Sequence, residues 1–475
     1  MGRIVTRGLW VLAVLLCVVA VAWHVLAPSQ EAPVAATGSD PAANPSPAAE
    51  PFSPLGAAAP VPDAASLASA VDADLAGHPG TYNVSVVDAV TGEQLVDRGA
   101  STPSTPASSL KLLTGSAALA TFSGEHRFPT TATLAADGRV YLVGGGDALL
   151  GAGASDPKAV QGRAGLATLA EKTVAALRAG PGDGSGPYEV AVDDSLFPGA
   201  GLNPDWAPDL VTSDNITEIQ TPAMNAGRAS ASHSSAVVRN PARAALKAFV
   251  SALNAAGAKP GQGGPRFTEA GSGSVGDGAG DGAAGGKPTE LARVESATLL
   301  EQLHYMERNS DNFMAETFGR LVAVARGGTG DIEGASTAVA DAVKELGVDT
   351  TGLHMADTSG LAAVDKVSPA TLAGLLARAA TGDTPDLREL AGLLPVSGST
   401  GTLAGRLGGE DTGLVRAKTG TLAAVVSLSG YVTTADGRLL SFSVMADDVR
   451  GALAEARDVV DSVAATLAGC GCTQG

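Results

Sequence analysis

Cysteine is almost missing from this 475-residue chain, which has three, and histidine is scarce at six. No histidine pair has the H-x-x-x-H spacing of a metal ligand set, and Cys470 and Cys472, a lone C-x-C, have no Cys/His cluster to join. Metal catalysis is therefore not expected, and no cofactor is implied. His304, in EQLHYMERN, reads as a helix-surface or core residue, and Cys17 follows Leu15 and Leu16 rather than the small residues of a lipidation site. Positive charge is also short: 31 lysines and arginines stand against 49 acidic residues, a formal net charge of −18. Nucleic acid and anionic lipid would be repelled, so neither is expected as the main partner, although a small basic pocket is compatible with this balance. Charged residues make up 17% and hydrophobic ones 45%, the composition of a globular rather than a disordered chain.

One long apolar run is present, from Leu9 to Leu26, with Arg3 and Arg7 ahead of it. At 1.5 Å per helical residue it covers roughly 27 Å, enough for a hydrocarbon core. No clean A-x-A cleavage site follows at once, so residues 1–27 read as an uncleaved signal anchor in preference to a cleaved signal peptide. Basic residues lie only on its N-terminal side, which leaves the rest of the chain outside the cytoplasm, or secreted if the segment is cut. Residues 28–62 are a Pro/Ala-rich tether that cannot pack a core. The roughly 410 residues beyond exceed what one core usually organises, so more than one folding unit is expected.

Residues 63–78 have a helical pattern, and TYNVSVVDAVTGEQLVDRG alternates as two strands about Val90–Glu93. SLKLLTGSAALATF suits a buried helix despite Gly115. Residues 128–290, richer in Gly and Asp, read as an insertion with its own folding unit. Within it Gly144-Gly145-Gly146-Asp147 reads as a strand-end turn, and residues 261–287 as a mobile low-complexity surface loop. From 311 helices dominate until LVRAKTGTLAAVVSLSGYVTTADGRLLSFSVMADD, which reads as three strands with a turn at Ala435-Asp436-Gly437, followed by a final helix. The order predicts an α+β fold: one antiparallel sheet built from both ends of the chain (63–127 and 291–475), covered by helices, with a large inserted domain.

A serine attacks an acyl carbon only if a base takes its proton, and with no Ser/His/Asp arrangement evident, lysine is the candidate. In STPASSLKLLTG, Ser108 and Lys111 are spaced i, i+3 and share a helix face, whereas Ser109 and Lys111 point apart and Ser104 has only Ala107 at i+3. Taken alone, Ser108 reads equally well as a helix cap. The same pattern recurs at Ser155-Asp156-Pro157-Lys158, where an N-cap serine with an acid and a proline in the first turn is the better reading. A lysine base near neutral pH needs its pKa lowered from about 10.4 toward 7, roughly 4 to 5 kcal/mol of environment. Burial and a second cation would supply it. That cation could be Lys418 in the single K-T-G, where Gly420 permits close backbone approach, although alone it reads as an exposed strand lysine. Ser310-Asp311-Asn312 places a hydroxyl and an amide on a turn between helices. Its second copy, Ser213-Asp214-Asn215, lacks those helical flanks and reads as a turn or cap.

In that order, Ser108-x-x-Lys111, Ser310-Asp311-Asn312 and Lys418-Thr419-Gly420 resemble the active-site triplet of penicillin-recognising serine enzymes. With NSDNFMAE, DTSGL, LPVSGSTGTLAGRL and AKTGTL around them, residues 63–467 look like the D-alanyl-D-alanine carboxypeptidase/endopeptidase family of penicillin-binding protein 4 type, whose members carry a large insertion between the first two motifs. The resemblance implies a penicillin-binding/β-lactamase-like fold acting on peptidoglycan stem peptides, with β-lactam antibiotics as covalent inhibitors. Ser108 would be the nucleophile, Lys111 its base and Ser310 the proton relay to the leaving amine. Asn312 would bind the substrate backbone, Lys418 and Thr419 the terminal carboxylate, and backbone N–H groups of Ser108 and Thr421 the oxyanion. DTSGLAAVDKVSP departs from the family by lacking a serine and an Asn-Arg pair after SGL, and the insertion is short and glycine-rich. Two rivals are a β-lactamase, for which no partner glutamate loop is evident, and a non-catalytic wall scaffold, against which the intact motifs speak.

Overall fold

The computed structural model describes residues 58–180, 186–258, 265–275, 288–381 and 384–471. The anchor and most of the tether lie outside them, as does Cys472. Among the described residues no helix is long and apolar enough to cross a membrane.

Two five-stranded sheets organise the described residues. The first has the order β2-β1-β10-β9-β8 and is antiparallel throughout, from β1 (Thr81–Asp88), β2 (Gln94–Arg98), β8 (Val415–Leu422), β9 (Val425–Thr433) and β10 (Leu439–Asp447). Strand alternation sorts its residues onto two faces. On one side Val84, Val426, Leu428, Phe442 and Val444 pack against Leu67 and Val71 of α1 (Ala64–Leu75) and Val460, Val463 and Leu467 of the C-terminal helix. The other face is lined by buried hydroxyls, Ser427, Ser429, Ser441 and Ser443, with Lys418 paired opposite Ser429 and Gly420 opposite Ser427. These small residues let α8 (Pro369–Thr381) approach closely, Ser441 Oγ donating to Ala373 O at 2.9 Å, and α8 shares one core with α2 (Lys111–Thr121), α5 (Leu299–Asn309) and α6 (Asn312–Ala325).

The second sheet is mixed and is built from β3 (Pro129–Leu134), β4 (Val140–Gly144), β5 (Pro187–Asp193), β6 (Arg266–Ser272) and β7 (Thr289–Glu295), in the order β6-β5-β4-β3-β7. Its core joins Val140, Leu142, Val190 and Val192 to Leu169 and Val174 of α3 (Leu166–Ala179) and Phe249 of α4 (Pro241–Gly257). Three readings of this stretch need correction. Residues 266–272, expected in a mobile loop, form edge strand β6, because β5 offers them a parallel ladder. Phe197, Trp206, Ile216 and Ile219 leave the inserted sheet and share the core of α2, α5, α6 and α8. Ser155 caps no helix: its Oγ accepts from Gly165 N–H at 3.0 Å, and Asp156 instead accepts from Lys158 N–H, a local Asx turn.

Candidate active site

Ser108 sits half-buried on a 3-10 turn, Ala107–Leu110, that feeds directly into α2. Ala107 before it has φ 46°, a left-handed conformation that costs a non-glycine residue about 1–3 kcal/mol. Two glycines let the surroundings clamp it there. A Cβ on Gly360 would come 1.9 Å from the Ala107 carbonyl oxygen, and one on Gly420 would come 2.7 Å from that of Pro106. Strand β8 and the 357–362 loop therefore close on the turn from two sides. Ser427 Oγ donates to Pro106 O at 2.6 Å and lies 2.8 Å from Ser109 Oγ, so Ser109 is tied to the sheet. Ser104 Oγ accepts from Asn83 Nδ2 at 2.9 Å and is buried. Of the three serines, Ser108 alone lines the cleft.

Lys111 is wholly buried, with Nζ 2.9 Å from Ser108 Oγ, 2.8 Å from Asn312 Oδ1 and 2.6 Å from the Ser359 carbonyl. Asn312 Oδ1 and Ser359 O can only accept. A neutral amine has two N–H groups and one lone pair, so those two partners fix the N–H groups and leave the lone pair aimed at the Ser108 hydroxyl. Burial pulls Lys111 down to about 8, while Glu307, Asp357, Asp311 and Glu316 pull it up. The expected need for a second cation is thus met differently: burial does most of the work on Lys111, and repulsion between the lysines adds to burial in taking Lys418 down to about 7.

The middle motif is a helix junction. Thr298 and Glu301 cap the start of α5 reciprocally; Ser310 ends it in the left-handed region at φ 55°, and Asp311 caps α6 by accepting from Met314 N–H. Ser310 and Asn312 consequently project from the break into one cleft, of about 260 Å³, that also holds Ser108 and Thr421. Lys418 Nζ donates to Ser310 Oγ at 2.9 Å and to Thr419 O at 2.8 Å. It is wholly buried, not the exposed strand lysine that its motif suggests when taken alone. Thr419 Oγ1 lies 2.9 Å from Thr402 Oγ1, in LPVSGSTGTLAGRL. All eight expected site residues therefore converge on one place, Lys111, Lys418 and Gly420 from beneath it.

Sequence reasoning missed the wall opposite. Asn215, from the second Ser-Asp-Asn copy, offers its carbonyl to Asn312 Nδ2 at 3.0 Å, and Arg228 and His233 line the same cleft. The side chains of that copy do make turn contacts, Ser213 Oγ donating to Asp209 O and Asp214 accepting from Val237 N–H. Its placement over the first copy has no local signal. Glu307 was also missed, although it stands three residues before Ser310.

A serine against a buried lysine, a Ser-x-Asn turn and a Lys-Thr-Gly strand on a five-stranded antiparallel sheet define the class: penicillin-recognising serine enzymes. More narrowly, the chain belongs to the D-Ala-D-Ala carboxypeptidase 3 (S13) family, whose profile matches residues 67–262 and 238–468, and is a serine peptidase. It is 34% identical over 481 residues to Carboxypeptidase DacB of Mycolicibacterium smegmatis, an alignment covering 98% of this chain and 97% of that protein. Among solved structures, penicillin binding protein 4 (dacB) from Haemophilus influenzae matches with a TM-score of 0.63 at 16% identity, over 85% of this chain and 98% of that one. The same protein complexed with a novel β-lactam gives 0.58 at 18%, with the same coverage. The α+β penicillin-binding fold expected from the sequence is the fold observed.

Proposed function

We propose that the chain is a DD-carboxypeptidase, with DD-endopeptidase activity on crosslinked stems, that works through an acyl-enzyme on Ser108. The contact set of Lys111 carries this reading. Lys111 Nζ takes the Ser108 proton as Oγ bonds to the carbonyl carbon between the two terminal D-alanines. The oxyanion is met by the N–H groups of Ser108 and Thr421, contacts worth on the order of 10²- to 10³-fold in rate. The C–N bond then breaks, the leaving amine takes a proton through Ser310 from Lys418, and water releases the acyl group. Asn312 faces the substrate backbone. Lys418 lies behind Ser310 and Thr419, so its charge acts on the terminal carboxylate across those hydroxyls. An arriving carboxylate raises the proton affinity of Lys418, and repulsion then keeps Lys111 neutral. The purified protein is expected to release D-alanine from a pentapeptide ending in D-Ala-D-Ala, and to split crosslinked muropeptides. Absence of free D-alanine under conditions where a penicillin still acylates the protein would refute the peptidase reading.

We also propose that residues 1–27 hold the enzyme at the outer face of a membrane and that β-lactams acylate it. The support for the anchor is the 18-residue apolar run with Arg3 and Arg7 on one side only. The full-length chain is expected to sediment with membranes and resist a high-salt wash. Recovery of an N-terminally trimmed chain from the medium would instead establish a cleaved signal.

A further inference from the structure

Helix α5 carries a carboxylate that these steps do not use. Glu307 is 0% exposed, and among the described residues neither of its side-chain oxygens has a hydrogen-bond partner. Its seat is specific. It lies three residues before Ser310, whose hydroxyl holds Lys418 and whose N–H bonds back to the Glu307 carbonyl at 3.4 Å. Facing it on α2 is Gly115, one turn after Lys111, where an added Cβ would stand 3.1 Å from Glu307 Oε1. A larger residue there would crowd the carboxylate. Glycine weakens the middle of a helix, and here it opens the room for Glu307.

The charges facing Glu307 are Lys111 from α2 and Lys418 from β8. Lys111 also feels Asp311 and Glu316 from the start of α6 and Asp357 from the loop after α7 (Ile332–Glu345). A buried ionised carboxylate without hydrogen bonds is costly unless a cation balances it. Two buried lysines with no anion between them would carry the complementary cost.

We propose that Glu307 is a positioning residue for charge: its carboxylate is the counter-ion that sets how many protons the Lys111/Lys418 pair holds. With Glu307 ionised, one protonated lysine makes the cluster neutral and the other lysine is free to act as base. Burial pushes Glu307 up to about 7, and the lysines stand at about 8 and about 7, so the three groups exchange protons around neutral pH as one unit.

The sign of the test follows. Glu307 raises the proton affinity of both lysines, so its removal lowers both. The acylation rate with a fluorescent penicillin, followed from pH 5 to 10, is expected to rise on an acid limb and fall on a basic limb that belong to the lysine pair together, the active form being neutral Lys111 beside protonated Lys418. In Glu307→Gln and Glu307→Leu both limbs are expected to move about one unit to lower pH, with about a tenfold loss of rate at pH 9, while Glu307→Asp moves back toward the wild-type profile. Glu307 accepts no hydrogen bond from a described residue, so its removal strands no donor, and the lysines can shed a proton in place of losing their counter-ion, so Gln and Leu are expected to fold. Profiles that superpose on wild type, or that drop equally at every pH, overturn the proposal. So does failure of both Gln and Leu to fold, which would make the carboxylate structural. The inference rests on Lys111 as the base, and an error there shows separately, as a wild-type profile without an acid limb.

Discussion

Ser108→Ala protein is expected to take up no covalent label from a fluorescent penicillin, while Ser155→Ala labels at the wild-type rate. Both serines stand three residues before a lysine, so the comparison isolates environment. Lys111 is buried, and burial lowers its proton affinity toward the working range of a base. Lys158 is exposed. Ser108 Oγ is 2.9 Å from its lysine and faces the cleft, whereas Ser155 Oγ accepts from Gly165 N–H. Without Oγ at 108 no ester bond can form, so the loss is complete. Losing Ser155 Oγ costs one hydrogen bond, about 1 kcal/mol, and shifts the melting temperature by a few degrees at most. Labelling of Ser108→Ala at the wild-type level would place the nucleophile elsewhere.

The parts of this site that were legible in sequence share a physical reason: each is a short-range periodicity. VVSLSG and LSFSVMAD alternate because one sheet face packs on apolar helices and the other lines the approach of α2. Ser108 and Lys111 meet because i and i+3 share a helix face. Ser310-Asp311-Asn312 reads as a break because aspartate suits a helix start. What sequence could not give is which loops fold over which. Asn215 meets Asn312 across 97 positions, and nothing in VTSDNITEI marks it as the opposite wall. Ser155 fails as a cap because Gly165 and Thr168, ten and thirteen residues on, compete for its hydrogen bonds. Glu307 looks like a surface glutamate beside Arg308, and only the meeting of α5 with Gly115 of α2 buries it.

Asp357→Ala is expected to lower the unfolding free energy by about 3 to 5 kcal/mol in urea titrations, far beyond the effect of a typical surface change. Asp357 is 1% exposed, and its two oxygens gather five donors. Oδ1 accepts from Ser359 N–H at 3.0 Å and Gly360 N–H at 2.6 Å. Oδ2 accepts from Leu361 N–H at 3.0 Å, Ala362 N–H at 2.8 Å and Trp206 Nε1 at 2.8 Å. Alanine would strand all five in a dry setting, at about 1–3 kcal/mol each if nothing moved. Two effects keep the net below that sum. The loop can shift to find other partners, and Asp365, pushed up to about 10 by burial and then by the Asp357 charge, is relieved when that charge goes. The same shift reaches the chemistry, because this loop presents the Ser359 carbonyl to Lys111 and the Gly360 backbone to Ala107. Acylation of the folded fraction is therefore expected to slow as well. Asp357→Asn, which keeps one acceptor oxygen but turns an NH₂ toward N–H donors, is expected to fall between alanine and wild type in both measurements. An alanine variant that unfolds at the wild-type midpoint would mean that the loop is held by its apolar contacts alone.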